Sequence, residues 1–168
     1  MTRPRFAQNG FTIVELLIVI GVIGILAAIA IPNLLTAMQR SKQKRTMADI
    51  RSIGVAWEAR AVEMNRYNAA GYTLPAVSEA MVDIYAHLEP TYIKTTPRRD
   101  GWTNAWEFYL DVAMAGPTLA NRYAIVSQGR NGMAEGVVGS GGPTTNFDCD
   151  IVYENGNFVQ YPDSFQID

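Results

Sequence analysis

The first strong pattern is an unbroken apolar run. From Leu16 to Ile31 no side chain is charged or strongly polar, and the run extends back to Phe11 with only Thr12 and Glu15 interrupting it. At about 1.5 Å rise per residue, a helix over 11–32 can cross a hydrocarbon core of roughly 30 Å. Pro32 removes a backbone donor and crowds the carbonyl one turn earlier, which predicts a bend or opening near residues 28–32. Beyond it the spacing changes: Ile50, Ile53, Trp57, Ala61 and Met64 recur at intervals of three and four, one face of an amphipathic helix over 33–64 that carries the remaining chain. Arg45, Asp49, Arg51, Glu58, Arg60 and Glu63 are expected on its solvated side, and Asn65, Asn68 and Gly71 mark its end.

Residues 65–168 read as a globular head. Ser78 is a plausible N-cap for a short helix with Met81, Ile84, Tyr85 and Leu88 on one face and Pro90 after it. Trp106 to Val112 and Tyr123 to Ser127 have the aromatic and β-branched content of strands. Asp150 to Glu154 and Asn157 to Tyr161 flank Asn155-Gly156, the dipeptide suited to a type I′ hairpin turn. The expected fold class is α+β: a long N-terminal helix, membrane-spanning in its first half and amphipathic in its second, with a small antiparallel β-sheet laid on the amphipathic half.

Composition narrows the function classes. The chain has 168 residues, 48% hydrophobic and 18% charged, enough for one domain with a real core. A net charge of −2 lacks the basic excess of a nucleic-acid binder. One cysteine, Cys149, excludes an internal disulfide, and with the single histidine, His87, it excludes the common zinc frameworks. Cys149 reads as a small buried residue and His87 as an ordinary, partly exposed one. No nucleophile, base and orienting group recur in a recognisable arrangement, and the glycines of 136–142 lack the lysine and helix of a phosphate loop, so an enzyme is not expected.

Two N-terminal features stand out. An ordinary secretory signal has its small-residue cleavage site after the apolar run, whereas Gly10 lies before this one. Glu15 places a carboxylate four residues into a spanning segment, costly unless it is paired or snorkels to the interface. Basic residues fall on both sides, Arg3 and Arg5 before the run and Arg40, Lys42, Lys44, Arg45 and Arg51 after it, so their count alone would put the N-terminus outside. The cluster Arg40, Lys42, Lys44 and Arg45 is suited to a solvated face or to lipid headgroups or a neighbouring subunit. Gly21, Gly24, Ala27, Ala28 and Ala30 permit close helix approach.

Gly10-Phe11-Thr12-Ile13-Val14-Glu15-Leu16-Leu17, after a leader with Arg3 and Arg5 and before Gly21, Gly24 and Pro32, resembles the class III signal of type IV pilins and type II secretion pseudopilins. The resemblance implies a leader of residues 1–10, cleaved between Gly10 and Phe11 by a prepilin peptidase, and methylation of the new Phe11 amine. It also implies N-in topology in a bacterial inner membrane, with a single span and the head in the periplasm. Glu15 would then pair with the N-terminal amine of a neighbouring subunit and select the packing register, since each charge is costly alone in an apolar filament core.

Within this superfamily, Pro90-Thr91-Tyr92-Ile93 and Asp100-Gly101-Trp102-Thr103-Asn104-Ala105-Trp106 are similar to segments of major pseudopilins, and the lack of a disulfide favours that branch. The resemblance implies a homopolymeric periplasmic filament that drives protein export, working with minor pseudopilins and an inner-membrane assembly platform. The alternative is a type IV pilin used for adhesion, motility or DNA uptake. Tyr123 to Gly132, with Asp148-Cys149-Asp150-Ile151 following, resembles the loop in which those pseudopilins hold calcium. Asp148 and Asp150 would be the main ligands, with Ser127 and Asn131 as weaker ones and loop carbonyls completing six to eight oxygens. The competing reading is a plain glycine loop in which an aspartate starts a strand.

Overall fold

The computed structural model describes residues 10–67, 81–110, 120, 122–134 and 141–163, the side chains of 81–83 excepted. Seven elements follow in order: α1 (Ile13–Met64), α2 (Met81–Leu88), β1 (Glu107–Leu110), β2 (Tyr123–Ser127), β3 (Gly142–Thr144), β4 (Ile151–Glu154) and β5 (Asn157–Pro162). The chain forms two compact units, Met1–Met38 and Gln39–Asp168.

In the first unit the apolar side chains have no cover. Phe11, Ile13, Leu16, Ile20, Ile25 and Ile29 are all more than half exposed. The segment is long and apolar enough to cross a membrane, and none of its most apolar window is buried. A surface of this kind is stable only against lipid or other apolar helices. The expected opening at 28–32 does not occur: the backbone stays helical through Pro32. Proline forfeits one backbone bond, and the Thr36 hydroxyl donates to the Pro32 carbonyl at 3.2 Å, so that oxygen is engaged within the helix.

The second unit folds around the later half of α1. Ile50, Ile53, Ala56, Trp57 and Ala61 are buried against Ile84, Tyr85 and Leu88 of α2 and against Phe108, Tyr123, Ile125, Ile151 and Tyr153 of the sheet. Trp57 is the centre: its ring meets Phe108 edge-on at 5.6 Å and Tyr123 at 4.9 Å, and its indole N–H donates to the Tyr67 carbonyl at 3.0 Å. Burying a side chain of this size while satisfying its one polar atom gives large transfer energy without a polar penalty.

Two helix positions depart from the periodic reading. Met64 is 47% exposed, because α1 ends there. Asn65 takes φ 54°, and the Arg66 N–H reaches back to the Ala61 carbonyl at 3.1 Å, the six-to-one bond of a Schellman end. Arg60, expected on the solvated side, is buried. The reversed chain covers it, and its guanidinium donates to the same Tyr67 carbonyl as Trp57, at 3.3 Å. Its pKa is lowered, first by burial.

The strand order is β1-β2-β4-β5-β3. β2, β4 and β5 fall where branched and aromatic residues predict them, and the β4–β5 turn has Asn155 at φ 45° and Gly156 at φ 88°, as a type I′ turn requires. The sheet is not purely antiparallel. β3 pairs parallel with β5, Gly142 opposite Gln160 and Thr144 opposite Pro162, while β1–β2, β2–β4 and β4–β5 are antiparallel. Gly-Gly-Pro-Thr carries no strand signal, and Pro143 lacks a ladder donor, which an edge position tolerates. Asp163 N–H to the Thr144 carbonyl at 2.7 Å closes this edge. Ser78, Asn68, Gly71, Asp111 and Val112, and residues 135–140 of the 133–147 loop, lie outside the described residues.

Candidate functional site

Two places carry chemistry: the start of α1, and the loops around Asp100 and the β2–β4 connection.

Gly10 and Phe11 are exposed and precede the first helical residue, so the bond between them is not locked into the helix. Thr12 and Glu15 form a capping box. The Glu15 N–H donates to Thr12 Oγ1 at 3.2 Å, and Glu15 Oε2 accepts from the Thr12 N–H at 2.9 Å and from its hydroxyl at 2.7 Å. Threonine followed three residues later by glutamate is a sequence signature of this motif, hidden here because Glu15 stood out as a charge in an apolar run. The box satisfies donors that a helix start otherwise leaves orphaned in lipid. Both bonds fall on Oε2, so Oε1 remains available among the described residues.

Asp100 organises the second site, a role not visible in its turn-like surroundings. Its carboxylate is buried and makes three bonds, Oδ1 accepting the Trp102 and Asn104 N–H groups at 2.9 and 2.7 Å and Oδ2 accepting the Ser127 hydroxyl at 2.7 Å. Gly101 donates its N–H to Thr46 Oγ1 at 2.9 Å, and Trp102 Nε1 donates to Gln39 Oε1 at 2.7 Å. A Cβ at 101 would lie 2.8 Å from Thr46 Oγ1, so only glycine permits this approach to α1. Asn104 Nδ2 donates to the Gly129 carbonyl at 2.7 Å, linking the turn to the β2–β4 loop. Beside it Glu107 accepts from Gln128 Nε2 and the Tyr109 hydroxyl at 2.5 and 2.6 Å; burial, then this bond, push the Tyr109 phenol up to about 12.

The four candidate calcium ligands are not gathered into a cage. Asp148 is held by Arg130, with Nε to Oδ1 at 2.7 Å and Nη2 to Oδ2 at 3.0 Å. This fork holds the Asp148 carboxyl below its ordinary value. Ser127 donates to Asp100, and Asn131 Oδ1 accepts the Met133 N–H at 2.9 Å. Asp150 is buried immediately before β4. Among the described residues no three of His, Cys, Asp and Glu are placed to hold a metal. A divalent ion about 2.4 Å from Asp148 would also stand roughly 5 Å from a fixed guanidinium, a repulsion of a few kcal/mol even at high effective dielectric. As placed, Asp148, Ser127 and Asn131 do not form a calcium cage.

A helix that opens on a capping box, exposes an apolar half and packs its other half under a small sheet defines a pilin-like subunit. The comparisons agree. The family described as type II secretion system (T2SS), protein G matches residues 33–141, and the prokaryotic N-terminal methylation motif matches residues 5–31. The chain belongs to the type II secretion system protein G family, and is a pseudopilin. It is 29% identical over 130 residues to the type II secretion system core protein G of Aeromonas hydrophila, covering 76% of this chain and 86% of that one. To the core protein G of Vibrio cholerae it is 33% identical over 108 residues, 60% of this chain and 70% of the relative. The type IV major pilin protein PilA of Myxococcus xanthus is 44% identical, but over 66 residues, 39% of this chain and 29% of the pilin. No solved structure matches the chain at a significant level.

Proposed function

We propose that this chain is the major structural subunit of a type II secretion pseudopilus, cut between Gly10 and Phe11 by a prepilin peptidase and methylated on the new Phe11 amine. The observation that carries the reading is the uncovered apolar surface from Phe11 to Leu35, headed by a carboxylate with one oxygen to spare. The subunit waits in the bacterial inner membrane, anchored by this single span with its head in the periplasm. It polymerises by exchanging lipid contacts for contacts with copies of itself, through the inner-membrane assembly platform and with minor pseudopilins. Glu15 Oε1 receives the Phe11 amine of a neighbour, while Oε2 keeps the helix start capped. Pro32 leaves a weakened turn at the head-side end of the span, suited to adjustment as subunits pack. The growing filament pushes exported proteins outward, and the subunit has no enzymatic role.

Deletion of the gene is expected to leave exported enzymes in the periplasm, with the wild-type chain restoring their release. Shearing the cells separates this from the type IV pilin reading, which the Myxococcus xanthus match supports over a short stretch. The subunit stays in the envelope if it forms a pseudopilus, whereas abundant long filaments in the sheared fraction with normal secretion would overturn the proposal.

A further inference from the structure

We propose that Arg130 is a built-in cation that fastens the β2–β4 loop, and that the head therefore folds and keeps its shape independently of calcium. Its guanidinium engages both oxygens of Asp148 in a planar fork at 2.7 and 3.0 Å. Its main-chain N–H donates to the Phe147 carbonyl at 2.9 Å, and its charge lies 5.8 Å from the centre of the fully buried Phe147 ring. One residue after β2 is thus tied by backbone, charge and ring to two residues just before β4, closing the long connection between the strands.

Three of the four candidate ligands are engaged in the same way. Asp148 is neutralised by the fork, Ser127 serves Asp100, and Asn131 caps the Met133 N–H. The carbonyl oxygens of Cys149 and Asp148 crowd Gly129, 2.6 and 2.7 Å from where a Cβ would sit, so they face the chain. Gly129 has φ +63°, which leaves glycine as the residue that fits there. Its own carbonyl accepts from Asn104. A fixed guanidinium supplies the positive charge locally, with no dependence on the ion concentration outside the cell.

The test uses the full chain in detergent micelles, melted in the chelator EGTA and in millimolar calcium, with radioactive calcium as the direct binding probe. The wild type is expected to melt at the same temperature in both and to retain no calcium. Arg130→Gln and Asp148→Asn are each expected to lower Tm by about 2–5 °C, equally with and without calcium. The double variant is expected to fall no further than either single one. A calcium-dependent rise in the wild-type Tm, retained calcium, or an Arg130→Gln variant that melts like the wild type would each overturn the proposal. If Arg130→Gln does not fold, the wild-type melts and calcium retention decide the matter alone.

Discussion

The two halves of α1 are built from the same element with opposite outcomes. Before Met38 the apolar residues encircle the helix and stay uncovered, so their burial must come from lipid or from other chains. After Gln39 the apolar residues form one stripe, and the chain supplies its own cover through α2 and the sheet. The first half is therefore an intermolecular surface, and the second is the core of a self-sufficient head. A substitution in the first half should alter assembly with little effect on head stability, and one in the second should do the reverse.

The largest contrast is expected at Glu15 and Trp57. Glu15→Ala is expected to leave membrane insertion and head melting unchanged while abolishing filaments; immunoblots of membrane and filament fractions with head Tm check all three, and normal filament yield would break the comparison. Trp57→Ala removes the centre of the core and should cost the head about 3–5 kcal/mol, read by denaturant unfolding of the full chain in micelles. Insertion of that variant should be intact.

A smaller effect is expected at Asp100→Ala, which strands the Trp102 and Asn104 N–H groups and releases Ser127. About 2–4 kcal/mol of head stability should be lost, against about 1 kcal/mol for Thr46→Val, which removes the acceptor of the Gly101 N–H and a donor to the Lys42 carbonyl. Acid should destabilise the head. The Thr96 N–H, with Arg98, lowers the pKa of Glu89, and Arg130 lowers that of Asp148. Each favours the folded state fully above its ordinary unfolded value, and that contribution is lost as pH falls through the depressed folded value. Melts across the acid range should show Tm falling below about pH 4, and Asp148→Asn should weaken the dependence. The smallest effect belongs to the Arg45–Asp49 pair, 3.5 Å apart one helical turn along α1, in which the arginine is exposed. Arg45→Ala should shift unfolding by no more than about 0.5 kcal/mol.

How much of this was legible in the sequence follows from the range of the interactions involved. The apolar run, the Ile50 to Ala61 stripe, β2 and the Asn-Gly hairpin are local patterns, and each stands where its pattern predicts. β3 was not legible because Gly142 and Pro143 join the sheet only through β5, with no intrinsic strand preference to announce it. Arg60 reads as a surface charge until the chain reverses at Asn65 and brings a carbonyl to it. Asp100 looks like one more turn aspartate; its bond to Ser127 spans 27 residues, and the neighbouring bond from Gly101 to Thr46 spans 55. The calcium expectation came from two alternate aspartates in a glycine-rich setting, and the reach of Arg130 to Asp148 across 18 residues changes that chemistry.

The central claim is that the uncovered half of α1 belongs to other copies of the chain, joined in register by Glu15. Electron cryomicroscopy of the assembled filament tests it most directly. The account predicts Glu15 of each subunit within about 3 Å of a neighbour's Phe11 amine, with the apolar helices packed in a central bundle. Glu15 facing solvent, or bonded only to its own Thr12 with the neighbouring amine elsewhere, would contradict it.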